Sequence, residues 1–319
     1  MKTSAFSIVT FLCLLSLAAV IQGAEKHDAA GSPSSSAPRR TVNDLYPDLT
    51  RGALSYAVAA TLPEETLLRA GTLVVDDKEV MEEIAKAPSQ MQQKLKKNAI
   101  FLLERIATFE LLLAEARADA AKSSRDILDK EEPEIIQDYL RGLTNKAKVS
   151  DAEIRDFYSS NTEMLRGVSL VQVRPQIEQF LLQQKQQELI DQHVRTVGRR
   201  MQIEISASWL DVHAALATDN PVDKARANGR ASLIDFGSTG CVPCDMMAPV
   251  LATLREKYKG RLDVLFVHVG EEPILASRYG VESIPVQILF DRTGKEIFRH
   301  VGFLSQERIE KRLAEIGVK

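Results

Sequence analysis

The segment from Leu233 to Leu251, LIDFGSTGCVPCDMMAPVL, constrains this chain more than any other stretch. An apolar run from Leu233 to Phe236, interrupted only by Asp235, reads as a short strand, and the residues after the CxxC read as a helix through Leu254 and Tyr258. Cys241 and Cys244 therefore stand at a strand-to-helix junction. At a helix N-terminus, unpaired amides and the backbone dipole favour a thiolate over a thiol. Cys241 occupies the junction and is the candidate nucleophile. Cys244, one turn inside, is the candidate resolving thiol that closes a mixed disulfide. A structural zinc site needs about four ligands, and no second CxxC or histidine pair accompanies this one, so no metal or cofactor is expected.

The first residues bear on the compartment. Lys2, an uncharged and mostly apolar run from Ala5 to Ile21, and the small residues Gly23 and Ala24 have the order of a secretory signal peptide over residues 1–24. An uncleaved membrane tether is the alternative. Cys13 lies inside the apolar run and leaves with a cleaved peptide. The CxxC is then the whole cysteine supply of an exported protein, and a cross-link closing so short a loop restricts little unfolded-chain entropy. Reactivity explains it better than structure. The formal net charge of -3 comes with no basic block, which argues against nucleic acid as a partner.

At 319 residues the chain is long enough for two globular units. Residues 25–45 (including GSPSSSAPRR) read as a disordered tether. Residues 46–205 are rich in helix formers. Ile100, Leu103, Ala107, Leu111 and Ala114 form an apolar stripe, Ser150 with Glu153 forms a capping box, and Pro175 suits the first turn of a long helix. The face begun by Ile177, Phe180 and Leu181 resumes at Ile190, Val194, Val197 and Met201. The polar Gln183–Gln187 between them points to solvent or a partner. Within residues 206–319, strands are expected at Leu233–Phe236, Leu262–Val269, Val286–Phe290 and Glu296–Val301, with a closing helix over Ser305–Ile316. That alternation describes an α/β layered domain.

From about Pro221 onward the chain resembles the thioredoxin superfamily. Asp235, six residues before Cys241, matches the family's buried carboxylate, which implies a proton acceptor for the resolving cysteine. Pro249, five residues after Cys244, matches its helix-kinking proline. Ile284-Pro285 matches the cis-proline element, which implies packing on the dithiol and backbone offered to a substrate. Gly302 matches a glycine near the end of the last strand. Two departures stand out: Gly240 replaces the usual Trp before the first cysteine, and Phe266 takes the place of a strand lysine. Loss of that lysine leaves Asp235 easier to protonate. His268 and His300 match no functional position and are expected to have packing or surface roles. CVPC resembles the reducing members, including exported reductants of the TlpA type, and lacks the histidine of oxidant and isomerase motifs. The resemblance implies a periplasmic protein-disulfide reductase recharged by a membrane electron donor of the CcdA or DsbD class. A disulfide isomerase or oxidase is the alternative.

VSDAEIRDFYSSNTEML, then VRPQIEQFLLQQKQQELIDQHV, with Gly71–Ala116 upstream, resembles the helical chaperone module of SurA and related parvulin-type isomerases, here without the isomerase domain. The resemblance implies a module that binds unfolded exported chains, so that disulfide-bearing exported proteins become substrates. The alternatives are a helical bundle used for docking or homodimerisation, and a chaperone or scaffold whose redox domain is regulatory. The expected fold is an α/β thioredoxin-like C-terminal domain preceded by an all-α SurA-like helical domain.

Overall fold

Residues 40–165 and 167–319 are described by the computed structural model. The signal peptide, Cys13 and the tether through residue 39 lie outside the described residues. The tether expected to reach residue 45 ends earlier. Thr41 and Asp44 form a capping box that starts helix α1 (Val42–Leu45), and Val42 is fully buried. The Ser/Pro-rich composition stops before Thr41, and the cap, not the composition, decides the next five residues.

A single turn of 3-10 helix (Ala53–Tyr56) leads to β1 (Val58–Ala60), β2 (Thr66–Ala70) and β3 (Leu73–Asp76). Helices α2 (Asp77–Lys86), α3 (Ser89–Lys97), α4 (Ala99–Lys122), α5 (Glu132–Thr144), α6 (Asp151–Ser160), α7 (Thr162–Leu165) and α8 (Leu170–Arg200) follow, then β4 (Ile203–Ser206) and α9 (Ala207–Thr218). The region is helical as expected, but it is not helix alone. The strands assemble in the order β1-β4-β2-β3, with β1 parallel to β4 and the other pairs antiparallel. These strands have three to five residues each, too short to declare a period in the sequence. In β4 the buried Ile203 and Ile205 alternate with partly exposed Glu204 and Ser206, and Glu204 pairs with Arg69 across the ladder at 2.5 Å.

Helix α4 runs 24 residues, about 36 Å, through this core. Ile100, Leu103, Ala107 and Leu111 are buried along it as the stripe implies; Ala114 is exposed, and Leu113 and Ala116 continue the apolar face instead. Helix α8 begins before the position expected from Pro175. Ser169 and Gln172 make a capping box, so Pro175 sits at the sixth residue and removes one internal hydrogen bond. The C-terminal part of α8 is held close to the 3-10 turn at Gly198, where a Cβ would lie 2.6 Å from the Ala53 Cα. Its N-terminal half is covered by α6 through the Phe157–Phe180 ring pair at 5.3 Å and a Lys185–Glu153 ion pair at 2.7 Å. The boundary expected at residue 205 falls later. Leu210, Ala214 and Ala217 of α9 are buried in the same core as α4, so residues 206–217 belong to the helical region.

Beyond Asn220, α10 (Pro221–Ala227), β5 (Ala231–Gly237), α11 (Val242–Lys257), β6 (Leu262–His268), α12 (Pro273–Arg278), β7 (Val286–Phe290), β8 (Glu296–Val301) and α13 (Gln306–Glu315) complete the chain. The sheet order is β6-β5-β7-β8, with β5 parallel to β6 and antiparallel to β7. β5 is buried along its whole length. Side-chain alternation splits it between two cores: Ala231 and Leu233 meet Met247, Leu251 and Leu254 of α11, while Ile234 and Phe236 meet Val222, Leu275 and Tyr279 on the other face. Residues 40–319 form one compact unit. The seam inside it is polar: Arg51 Nη1 donates to the Tyr279 carbonyl (3.0 Å), Arg278 Nη1 to the Ala217 carbonyl (2.9 Å), and Arg226 pairs with Asp48 (2.5 Å).

Candidate active site

β5 ends at Gly237, and the chain turns through Gly240, whose φ of +76° suits glycine, into Cys241 as the N-cap residue of α11. Pro243 in the first turn of the helix has no amide to leave unpaired. Cys241 and Cys244 are joined as a disulfide with Cα atoms 5.2 Å apart. The two sulfurs are not equivalent: Cys241 is partly exposed, whereas Cys244 is 4% exposed. An incoming group therefore meets Cys241 first. Pro249 lies inside α11.

Asp235 is fully buried on the α11 face of β5, two residues before Gly237 on the same face. A Cβ at Gly237 would stand 3.3 Å from Cys244 Sγ, so the missing side chain brings this strand face against the inner cysteine. One carboxylate oxygen of Asp235 accepts from Gln287 Nε2 at 2.7 Å, and the other has no partner among the described residues. Burial pushes its pKa up to about 6, against the smaller lowering effect of the Gln287 hydrogen bond. Gln287 matches none of the motif positions read from the sequence. A polar residue in the apolar run VQILF, two positions after Pro285, is the signal that marks it. Phe266 lies opposite Asp235 in the β5–β6 register, and its ring edge reaches within 2.9 Å of where a Gly237 Cβ would be.

The Ile284–Pro285 peptide bond is cis. Pro285 is buried and its carbonyl accepts from Gly302 N at 2.8 Å, which joins the start of β7 to the loop after β8. The histidines brace the two loops beside the site. His268 Nε2 accepts from Thr239 N at 3.3 Å in the turn that leads to Cys241, and His300 Nε2 donates to the Phe303 carbonyl at 3.0 Å. Burial lowers the His300 pKa, which favours the neutral ring. Val242 and Phe266 are exposed apolar side chains near the dithiol. Among the described residues no cluster of three or more His, Cys, Asp or Glu side chains is placed to hold a metal ion, and no helix is long and apolar enough to cross a membrane.

A strand-to-helix dithiol over a buried carboxylate, on a mixed sheet covered on both faces by helices, defines a thioredoxin-like thiol–disulfide oxidoreductase domain. Residues 218–317 match the thioredoxin-like domain family. The thioredoxins of Staphylococcus aureus strains Mu50 and MW2 are each 40% identical to this chain over 92 residues, spanning 29% of it and 86% of their own length. A solved structure described as that of a malarial protein aligns over 28% of this chain and 99% of its own, at 22% identity and a TM-score of 0.27. Through this C-terminal domain, the chain belongs to the thioredoxin family.

Proposed function

We propose that this chain is an exported protein-disulfide reductase whose helical region holds the polypeptide on which the dithiol acts. The observation that carries this reading is the asymmetry of the cysteine pair, with Cys241 accessible at the N-terminus of α11 and Cys244 buried beside the strand face that bears Asp235. In the reduced protein, the Cys241 thiolate attacks a substrate disulfide and forms a mixed disulfide, releasing one substrate thiolate. Cys244 then passes its proton to Asp235 and attacks the Cys241 sulfur. The second substrate thiolate leaves, and Cys241–Cys244 remains oxidised. An Asp with a pKa of about 6 is largely ionised at neutral pH, yet its basicity lies closer to that of a thiolate than an ordinary carboxylate's does. The thioredoxin resemblance supports a role for Ile284 and Pro285 in presenting backbone to the bound substrate.

The Val242–Pro243 dipeptide between the cysteines supports the reducing direction. The midpoint potential is expected near thioredoxin's, about −270 mV, and a value near the −120 mV of the oxidant class overturns the direction. Insulin reduction by the wild type, lost in Cys241→Ser, tests the enzyme. Turnover retained by that variant defeats it.

The resemblance to the SurA-type module supports a substrate-holding role for α2–α8, and the exposed Val168, Val171 and Leu189 on and before α8 offer apolar surface for it. Suppression of aggregation of an unfolded protein by full-length Cys241→Ser, which has no turnover, is the expected result. Periplasmic residence predicts a mature N-terminus after Gly23 or Ala24 in mass spectra of fractionated cells. A Cys244→Ser variant is expected to trap disulfide-bearing exported substrates, and the CcdA- or DsbD-type membrane donor, as mixed disulfides.

A further inference from the structure

Among the described residues β6 is an edge strand, paired to β5 on one side only. Val269 N donates to the Gly237 carbonyl at 2.9 Å, and bonding direction alternates along a strand. Asp263, Leu265 and Val267 therefore point their amides and carbonyls at β5. Leu262, Val264, Phe266 and His268 point theirs away from it. The ends of this outer row are closed. Leu262 N donates to the Tyr258 carbonyl at 3.0 Å, Arg255 Nη2 donates to the Val264 carbonyl at 3.2 Å, and the His268 carbonyl accepts from the Glu271 and Glu272 amides. The Val264, Phe266 and His268 amides and the Phe266 carbonyl have no partner among the described residues.

Open main-chain groups at every second residue, about 7 Å apart along the strand, match another extended backbone. Phe266 adds a side-chain contact: it is 46% exposed, and a side chain beside it on an added strand would pack against the ring. Exposed edges are commonly protected by lysine, proline or a bulge. Val264–His268 has none of these, and its register with β5 is unbroken. The opposite edge strand, β8, pairs across a register shift at Phe290 and carries the Arg299–Glu296 ion pair. Three bonding residues fall far short of the roughly 20 a side in a stable dimer, so the row suits a transient guest rather than a second copy.

The row also ends beside the dithiol. The Phe266 ring edge and Cys244 Sγ both lie against Gly237, and His268 Nε2 accepts from Thr239 N, two residues before Cys241. An added strand lies two strand spacings, about 10 Å, from β5. A chain leaving it past His268 covers that distance in about three residues. We infer that the open edge of β6 binds an extended segment of the polypeptide substrate as an added strand, which places a cysteine near that segment within reach of Cys241. The inference rests on the reading above that the dithiol acts on polypeptides.

The first test uses the oxidised wild-type chain and a cysteine-free heptapeptide, acetyl-Lys-Thr-Val-Tyr-Val-Thr-Lys-amide, followed through the protein's backbone amide resonances. Shifts centred on the Val264, Phe266 and His268 amides are expected, with binding weakened about tenfold or more when every amide of the peptide is N-methylated. No shift at these amides, or equal binding of the methylated peptide, overturns the inference. The peptide has no thiol. If the wild type fails to reduce insulin, the reductase reading falls, and this titration still decides the edge. The second test compares Phe266→Pro with Phe266→Val. Proline removes an N–H that faces away from β5, so no ladder bond is lost, and valine keeps it. With dithiothreitol as terminal reductant, KM for insulin is expected about fivefold higher in the proline variant than in the valine variant. Equal KM values overturn the inference. So does a wild-type dimer that Phe266→Pro dissociates in sedimentation, which makes the occupant a second copy.

Discussion

The helical region and the thioredoxin-like domain each hold a carboxylate whose pKa is raised strongly, Glu104 and Asp235, and the two are built in opposite ways. Glu104 on α4 accepts from Gly52 N at 2.8 Å, with the Arg51 and Leu54 amides also pulling its pKa down. Burial still dominates and pushes it up to about 7. Asp235 is pushed up to about 6 by the same cause, but a single donor meets it and one oxygen has no partner. A carboxylate surrounded by amides fixes a backbone; a carboxylate left half-satisfied beside a dithiol is able to take up a proton. Glu104 pins the loop from which Arg51 reaches the Tyr279 carbonyl, so its work lies at the seam. Asp235 lies on the strand face that meets the inner cysteine.

Substitutions at the two positions should therefore have crossed effects. Asp235→Ala is expected to lower insulin turnover at pH 7 about hundredfold, the usual scale for loss of a positioned acid–base group, without loss of thermal stability. Wild-type turnover in that variant would remove Asp235 from the mechanism. Glu104→Ala is expected to cost about 2 kcal/mol in a denaturant melt, because the partly buried amides of the Arg51–Leu54 turn lose their acceptor, with turnover per folded molecule unchanged. A loss of turnover with no loss of stability would reverse the comparison.

The pH dependence follows from the same two groups. Each folded pKa lies above its unfolded value, so each contributes stability that is complete below about pH 4 and is lost as the pH rises through the folded pKa. The loss falls between about pH 4 and 6 for Asp235 and between about pH 4.5 and 7 for Glu104. Paired surface carboxylates such as Glu153, lowered to about 2 by Lys185 and Ser150, act in the opposite direction at lower pH. The informative quantity is therefore wild type minus variant. In urea midpoints taken across pH, Asp235→Asn and Glu104→Gln should each remove a fall of about 3 kcal/mol over their own window. A difference that is flat with pH for either variant would take that carboxylate out of the account.

What the sequence made legible follows distance along the chain. The strand, the CVPC pair and α11 are contiguous, so apolar patterning and helix-end chemistry reach them directly. Asp235 and Pro285 are visible through a family pattern that stores contacts one chain cannot display by itself. Gln287 meets Asp235 from 52 positions away, and nothing local announces that pairing. The same holds for the first sheet, where Val58 pairs with Glu204. Helices α10 and α12, at seven and six residues, are shorter than a readable period. His268 had no motif to identify it, and only the fold brings its ring to the Thr239 amide. The misplaced boundary at residue 205 has a cause of this kind too. α9 looks like a connector in sequence and earns its place in the first core only through α4.

The finest test of the comparison lies at Phe266. It stands opposite Asp235 in the parallel ladder, where the thioredoxin resemblance expects a lysine, and its side chain lies on the same face over Gly237. A cation there favours the ionised carboxylate, so Phe266→Lys is expected to lower the Asp235 pKa by about one unit. If Asp235 is the proton acceptor, turnover of the wild type declines as the pH falls through about 6, where the base form disappears. In Phe266→Lys that acid limb should move to about pH 5, while Phe266→Met, which keeps an apolar side chain, leaves it in place. Glu104 lies in the other core, and its stability window should not move in either variant. An acid limb that stays at pH 6 in the lysine variant, or that shifts equally with methionine, separates the limb from Asp235 and leaves the carboxylate as a packing residue like its counterpart on α4.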